Sequence, residues 1–421
     1  MSRQFMASDF QKLLKDLYSL QRLGIKTGLE HTQQLLDACG NPHHQLKFIH
    51  LAGTNGKGST AAFILSILRA TGLKVGLYSS PHLVRFNERI RVNGVPIADE
   101  KIVEYMKLFS ADIRRIESTF FETTSAMAFW YFKREKVDVA VIETGLGGRL
   151  DSTNVIEPKI AVITPISMDH SDLLGNELKS IAREKAGIIK EKTPVISSHQ
   201  ENAVKNVLVQ KAAEVDAYLM FVDSPTDCTI SMAGTFFRQD DLDYQLTLIG
   251  EHQAQNASLA VAAVREFGSP VNDDHIRIGL LNATWPGRFQ VLSNDPHVIY
   301  DVAHNEQGIK SILKTVNNIF EKKPIGLFAH KEDKELELIA NVIHGKFGKL
   351  LVMDDEQGLL MRSETLSMNL SKHGIAAELM KRFDDFTSYL LNGHPGIIFG
   401  SHYMAKPVFE HFQFPFDTGV I

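Results

Sequence analysis

LKFIHLAGTNGKGSTAAFIL, residues 46–65, is the stretch on which the reading of the fold turns. An apolar run breaks into Gly-Thr-Asn-Gly-Lys-Gly-Ser and then becomes apolar again at helical spacing, as a buried strand, a glycine turn and a helix would. The strict phosphate-loop pattern G-x-x-x-x-G-K-[ST] fails. Leu51 stands where its first glycine belongs, and Gly58 displaces Ser59 by one position. The physics behind the pattern survives. Backbone N–H groups of a tight glycine turn can surround phosphate oxygens, Lys57 adds a mobile cation, and a helix opening at Ser59 presents its positive end. The bland alternative is a structural βα turn with an incidental lysine.

Outward from this loop, apolar runs alternate with helical patterns. KFIHLA, KVGLYS, VDVAVIE, KIAVIT and TPVIS are short and Val/Ile-rich without strict alternation, as strands covered on both faces are. Helix-like stretches lie at 59–71, 99–117, 123–135 and 177–190, and Ser8-x-x-Gln11 reads as the cap of a first helix. This order predicts βαβ crossovers and a mainly parallel sheet. Asn93-Gly94 predicts a hairpin. Residues 228–248 read as a small antiparallel insertion. Past the break at Pro286-Gly287, VIYDVA, PIGLFA, KLLVMD and GIIFG restart the alternation. The expectation is α/β throughout, with a larger domain over 1–288 and a smaller α/β domain over 289–421.

At 421 residues the chain suits two domains. A net charge of −5 gives no basic footprint for a nucleic-acid backbone, so anionic ligands need a local site. Cys39 and Cys228 are too few and too far apart for a disulfide framework or a cysteine zinc site. No apolar run is long enough to span a membrane and the first residues lack a secretory h-region, which makes the cytoplasm the expected compartment. The surface pattern suggests nothing beyond a monomer.

Further candidates cluster at strand ends. VDVAVIE ends on Glu143, where a magnesium-binding carboxylate would sit, and TGLGGRLDSTN follows at once. KIAVIT feeds Asp169-His170 in the same way, and YSSPHL places the Ser80 hydroxyl after another strand. Ligands of open α/β sheets bind at the carboxyl edge of the strands. Each candidate has a bland reading: a solvated strand-end Glu, or a satisfied structural His. Magnesium favours oxygen donors, so His170 would be an unusual ligand. The residues themselves point to an ATP-using enzyme with a magnesium–phosphate site and leave kinase, ATPase and ligase open.

Taken together, GTNGKGS, YSSPHLVRFNERI, FFETTSAMAF, VIETGLGGRLDSTN, MDHSDLLG, REKAGI, PGRFQV and DVAHN resemble the folylpolyglutamate synthase family of Mur-type ligases, and within it the bacterial bifunctional dihydrofolate synthase/folylpolyglutamate synthase branch. The resemblance implies a P-loop-like sheet domain with a smaller Rossmann-like domain. It also implies an ATP-dependent ligase that activates a pterin carboxylate as an acyl phosphate and joins it to the amino group of L-glutamate. By the same resemblance Thr54, Asn55, Gly56, Lys57, Gly58 and Ser59 hold the ATP phosphates, and Asn256, Arg288 and Asp301 bind the nucleotide. The last two flank the expected domain boundary, so ATP would lie in an interdomain cleft. Ser80, Glu143 and His170 match magnesium ligands. Lys185 matches a lysine that is carboxylated and ligates a second magnesium, and His304 faces the reaction near glutamate. Thr119, Phe120, Phe121 and Glu122 match a dihydropteroate-contacting segment, as do Leu150, Asp151 and Ser152. The substrates implied are dihydropteroate, reduced folates and L-glutamate.

Four departures from the family pattern bear on which folate is used. GIKTGL lacks an acidic residue of the bifunctional members, and Glu306 replaces a usual proline. Asp333-Lys334-Glu335 stands for Asp-Lys-Asp, and Tyr403 sits where bifunctional members often have His.

Overall fold

The computed structural model describes residues 3–24, 28–168, 175, 177–268, 270–332, 336–390 and 393–416. They divide into two compact units. The first is made by the chain up to Ser224 together with Asn256–Asn282, the second by Pro225–Gln255 and the chain from Ala283 on.

The first unit is built on eight strands: β1 Phe48–Ala52, β2 Val75–Tyr78, β3 Ile90–Val92, β4 Val95–Pro96, β5 Val139–Glu143, β6 Ile160–Ile163, β7 Val195–Ser197 and β8 Leu219–Phe221. Their order across the sheet is β4-β3-β2-β5-β1-β6-β7-β8. The five central strands pair in parallel and are buried along their whole length, which explains their unalternating apolar sequence. Only β3 and β4 run antiparallel, joined by Asn93 and Gly94 at φ 51° and 83°, the primed turn that the dipeptide favours.

The helices of this unit are α1 Arg3–Ser19, α2 Glu30–Ala38, α3 Lys57–Ala70, α4 Asp99–Ile116, α5 Phe120–Glu135, α6 Leu178–Ala186 and α7 Asn202–Glu214. Helix α1 begins at Arg3, five residues before the expected cap at Ser8, so Ser8 is a helix-interior residue. Helix α3 is buried from Gly58 through Leu68, because its small and apolar residues let neighbours close over it on every side. No helix among the described residues is long and apolar enough to cross a membrane.

The second unit combines a three-stranded antiparallel sheet, which precedes α8 (Glu251–Phe267) and α9 (Asp273–Asn282) in the chain, and a six-stranded sheet, which follows them. The first holds β9 Thr226–Ser231, β10 Gly234–Gln239 and β11 Leu242–Leu246. The second holds β12 Gln290–Asn294, β13 His297–Asp301, β14 Ile325–Phe328, β15 Lys349–Val352, β16 Glu378–Leu379 and β17 Gly396–Phe399, in the order β12-β13-β17-β14-β15-β16. All its pairs are parallel except β12 with β13.

One buried group makes the first unit sensitive to acid. His50 on β1 is wholly enclosed, and its Nε2 lies 2.9 Å from the Thr153 hydroxyl. Burial, with the charge of Lys190 adding to it, pushes its pKa down to about 3. The unfolded chain therefore takes up a proton near pH 6.5 that the folded chain refuses until about 3. Stability is full above pH 6.5 and declines below it, with a slope of about 1.4 kcal/mol per pH unit from this one group. Denaturant midpoints measured from pH 7 to 4 should fall, and His50→Gln should flatten the fall.

Candidate active site

The opening loop lies between β1 and α3. Gly56 caps α3 at φ +88°, and a Cβ there would lie 2.2 Å from Oδ1 of Asn256, so both backbone and space require glycine. Asn256, some 200 positions away in sequence, is thereby placed against the loop. Backbone N–H groups of Thr54 and Asn55 donate to the Pro165 carbonyl, and the Thr54 hydroxyl donates to the Ser167 carbonyl at 3.0 Å. Asn55 Nδ2 reaches the Ser167 hydroxyl at 3.4 Å. Gly58 and Ser59 are buried in the first turn of α3.

Two ammonium groups converge on this loop. Lys57 Nζ donates to the carbonyls of Gly53 and Thr54 at 3.1 and 3.2 Å, and Lys185 Nζ, buried on α6, donates to the same Gly53 carbonyl at 2.7 Å. Like charges this close repel, and an anion between or upon them relieves the repulsion. Lys185 is held there by contact of one backbone with another. A Cβ on Gly148 would lie 2.8 Å from the Glu184 carbonyl oxygen, and one on Gly187 would lie 2.4 Å from Arg149 Cα. Arg149 N donates to the Glu184 carbonyl, and its guanidinium pairs with the Glu184 carboxylate at 2.8 Å. Gly148 after β5 and Gly187 after α6 thus let the two backbones lie against each other.

Glu143, at the end of β5, is buried, and its Oε2 accepts the Ser80 backbone N–H at 3.2 Å. The two oxygen-bearing residues read as metal ligands therefore do meet. Beyond Ser80, the loop is gathered by one side chain: the Glu88 carboxylate accepts the backbone N–H groups of Leu83, Val84 and Arg85. His170 lies outside the described residues, as do Asp169, Asp333, Lys334 and Glu335 and the Ile25–Lys26–Thr27 part of GIKTGL.

The residues matched to a pterin site form a second group in this unit. Thr119 caps α5 in a reciprocal box: Glu122 N donates to its hydroxyl, and Thr119 N donates to the Glu122 carboxylate at 2.7 Å. The other oxygen of Glu122 lies 3.6 Å from His31 Nδ1. Phe120 is buried and stacked on Tyr18, with centroids 5.7 Å apart, whereas Phe121 remains 36% exposed. Ser152 Oγ lies 2.7 Å from Ser125 Oγ, joining the post-β5 loop to α5, and Leu150 is half-buried beside it. Asp151 is occupied internally. One oxygen accepts Gly145 N and Leu146 N, and the other accepts the backbone N–H and hydroxyl of Thr153.

Arg288, Asp301 and His304 belong to the second unit. Asp301, buried at the end of β13, accepts Phe289 N and Ala303 N at 2.8 Å each. Burial raises its pKa, and Arg288 and these bonds pull it back. His304 Nδ1 lies 2.9 Å from the Val302 carbonyl, an acceptor only, so this nitrogen carries the proton and Nε2 is the basic one. Sequence reasoning overlooked Ser167, which follows β6 as Ser80 follows β2, and it overlooked Arg89 in FNERI, described below.

The comparisons agree with this architecture. Residues 51–264 match the Mur ligase middle domain and residues 287–394 match the Mur ligase, glutamate ligase domain. The chain is 37% identical over 366 residues to a dihydrofolate synthase/folylpolyglutamate synthase of Bacillus subtilis, covering 80% of this chain and 85% of that one. Its fold superposes on a Mycobacterium tuberculosis folylpolyglutamate synthase complexed with ADP and AMPPCP with a TM-score of 0.88 at 30% identity, covering 96% and 99% of the two chains. An FPGS–AMPPCP–folate complex gives 0.83 at 30% identity, covering 96% and 99%. The chain belongs to the folylpolyglutamate synthase family of Mur-type ligases.

Proposed function

We propose that this protein is an ATP-dependent amide ligase that adds L-glutamate to 7,8-dihydropteroate and to reduced folates. The observation that carries the reading is the convergence of Lys57 and Lys185 on the Gly53 carbonyl, at the sheet edge where Ser80 and Glu143 also meet. The acceptor carboxylate attacks the γ-phosphorus of ATP, the bond to ADP breaks, and an acyl phosphate forms. The amine of glutamate then attacks the activated carbonyl, phosphate leaves, and an amide remains.

The first unit, within the expected 1–288 domain, holds the ATP phosphates and the pterin, and 289–421 supplies the glutamate-ligase domain. Thr54 through Ser59 hold the phosphates with Lys57 as their cation, and Asn256, Arg288 and Asp301 bind the rest of the nucleotide. His304 Nε2 is suited to accept the proton that the glutamate amine releases. Thr119–Glu122 and Leu150–Ser152 flank the pterin. In the latter segment Asp151 acts by shaping the loop, since both its oxygens are engaged there.

Magnesium fits this site. Ser80 and the buried Glu143 are hard oxygen donors brought together by a backbone bond. They would hold it with His170, and a carboxylated Lys185 would add oxygens for a second ion. When bound, it neutralises charge on the transferring phosphoryl group. The enzyme acts as a cytoplasmic monomer.

The test is phosphate release from Mg-ATP and L-glutamate, with dihydropteroate and tetrahydrofolate compared as acceptors. Turnover with both is expected. Turnover with tetrahydrofolate alone restricts the activity to chain extension, and release that needs neither glutamate nor a folate overturns the ligase reading.

A further inference from the structure

The loop after β2 returns to the sheet at Arg89, and the register places this residue closely. Tyr78 pairs with Ile142 on one side and Ile90 on the other, and the next rung joins Ser79 N to the Arg89 carbonyl at 3.0 Å. Arg89 and Glu143 therefore flank Ser79 in one row, at the edge that also carries Ser80.

The Arg89 side chain is enclosed, with 6% of its surface exposed. Its Nε donates to His82 Nδ1 at 2.8 Å, and its guanidinium lies 5.1 Å from the centre of the Phe120 ring. Tyr18 and Phe86 pack on the same ring, at 5.7 and 6.1 Å. Among the described residues Arg89 makes no ion pair, and its Nη1 is buried with no hydrogen-bond partner. A buried guanidinium normally faces a carboxylate, because desolvating the charge without one is costly. Here the groups in contact are an imidazole and aromatic rings, and the carboxylates of Glu88 and Glu143 act on the charge without pairing with it. An anion is the chemistry that an enclosed guanidinium with an unpartnered N–H selects.

We propose that Arg89 holds the carboxylate of the pterin acceptor beside Glu143 through its unpaired Nη1–H. The inference rests on the folate-ligase reading and adds to it the residue that presents the reacting group. The guanidinium keeps its protons throughout. It holds one carboxylate oxygen while the other attacks the γ-phosphorus, the bond from that phosphorus to ADP breaks, and the held oxygen becomes the carbonyl of the acyl phosphate. The N–H then lies where negative charge develops when glutamate attacks.

The test is a binding cycle without ATP. Dihydropteroate and its analogue lacking the carboxylate are titrated against wild type, Arg89→Met and Arg89→Lys, with thermal melting as the check on folding. Wild type is expected to prefer the carboxylate form by about tenfold or more, as a charge-assisted pair should. In Arg89→Met the preference falls to about one, while the analogue binds as before. Arg89→Lys, which keeps the charge but not the fork, lies between and serves if the Met variant does not fold. Retention of the full preference in Arg89→Met, or equal weakening of both ligands, overturns the assignment. Wild type that binds neither ligand overturns the folate reading, and the Arg89 assignment with it.

Discussion

Replacing Glu143 by alanine stops turnover, with a fall of about 10³-fold, while the protein remains folded. Glu143 ends the central strand β5, is buried, and accepts the Ser80 N–H, so its charge is fixed beside the phosphate loop. Removing one preorganised electrostatic group from such a site costs about 10²–10³ in rate, and loss of a metal ligand adds to this. The strand is held by β1 and β2 on its two sides, so the substitution leaves the sheet intact. Lys57→Ala should match it, because the Lys57 ammonium, seated on the loop carbonyls, is the cation proposed to meet the phosphates. Phosphate release and a thermal melt on the same preparations decide the matter. Rates near wild type in a folded variant would sink the site assignment.

Lys185→Ala should lose about as much activity, and its rescue reports the chemical state of the residue. As an ammonium, Lys185 donates to the Gly53 carbonyl that Lys57 also reaches, so two cations crowd one oxygen. Adding CO2 to the amine turns that repulsion into attraction and presents oxygens to a metal. If the working form is the carbamate, short carboxylic acids added to Lys185→Ala restore part of the activity and alkylamines do not. Rescue by an amine alone would show that the ammonium is the active form.

The parallel sheet was legible because its central strands are covered on both faces and so read as unbroken apolar runs. The Asn93-Gly94 hairpin was legible because its dihedral angles suit few other pairs. What escaped notice depends on partners distant in the chain. Edge strands β8 and β16 are short and partly exposed, so their pattern carries little signal. The antiparallel pairing of β12 is set by its neighbour β13. The start of α1 lies before its apparent cap because helical propensity in RQFMA outweighs the Ser8 signal. In the site, the glycine loop and Glu143 announce themselves through strand–turn–helix order. The meeting of Lys185 with Gly53 spans 132 positions and leaves no mark on local spacing. Arg89 is hidden for another reason. It ends the 3₁₀ turn Phe86–Arg89 just before β3, a place where an arginine normally faces solvent. It is held inward by His82 and by Phe120 with Tyr18 stacked on it, and these two rings lie far from it in sequence.

The path of the chain between its two units bears on how the molecule is made. Segment 225–255 belongs to the second unit, and the chain then returns for 256–282 before leaving again. Helix α9 in that returning segment packs on α3. A ribosome that has released the first 224 residues has therefore produced the whole eight-stranded sheet but not the helix that completes the cover of α3. A single cut cannot separate the units: ending at 224 strips α3 of that cover, and starting at 289 omits the three-stranded sheet. Expression of either half alone should yield a sticky, chaperone-bound product, and domain swaps between relatives would need at least two junctions.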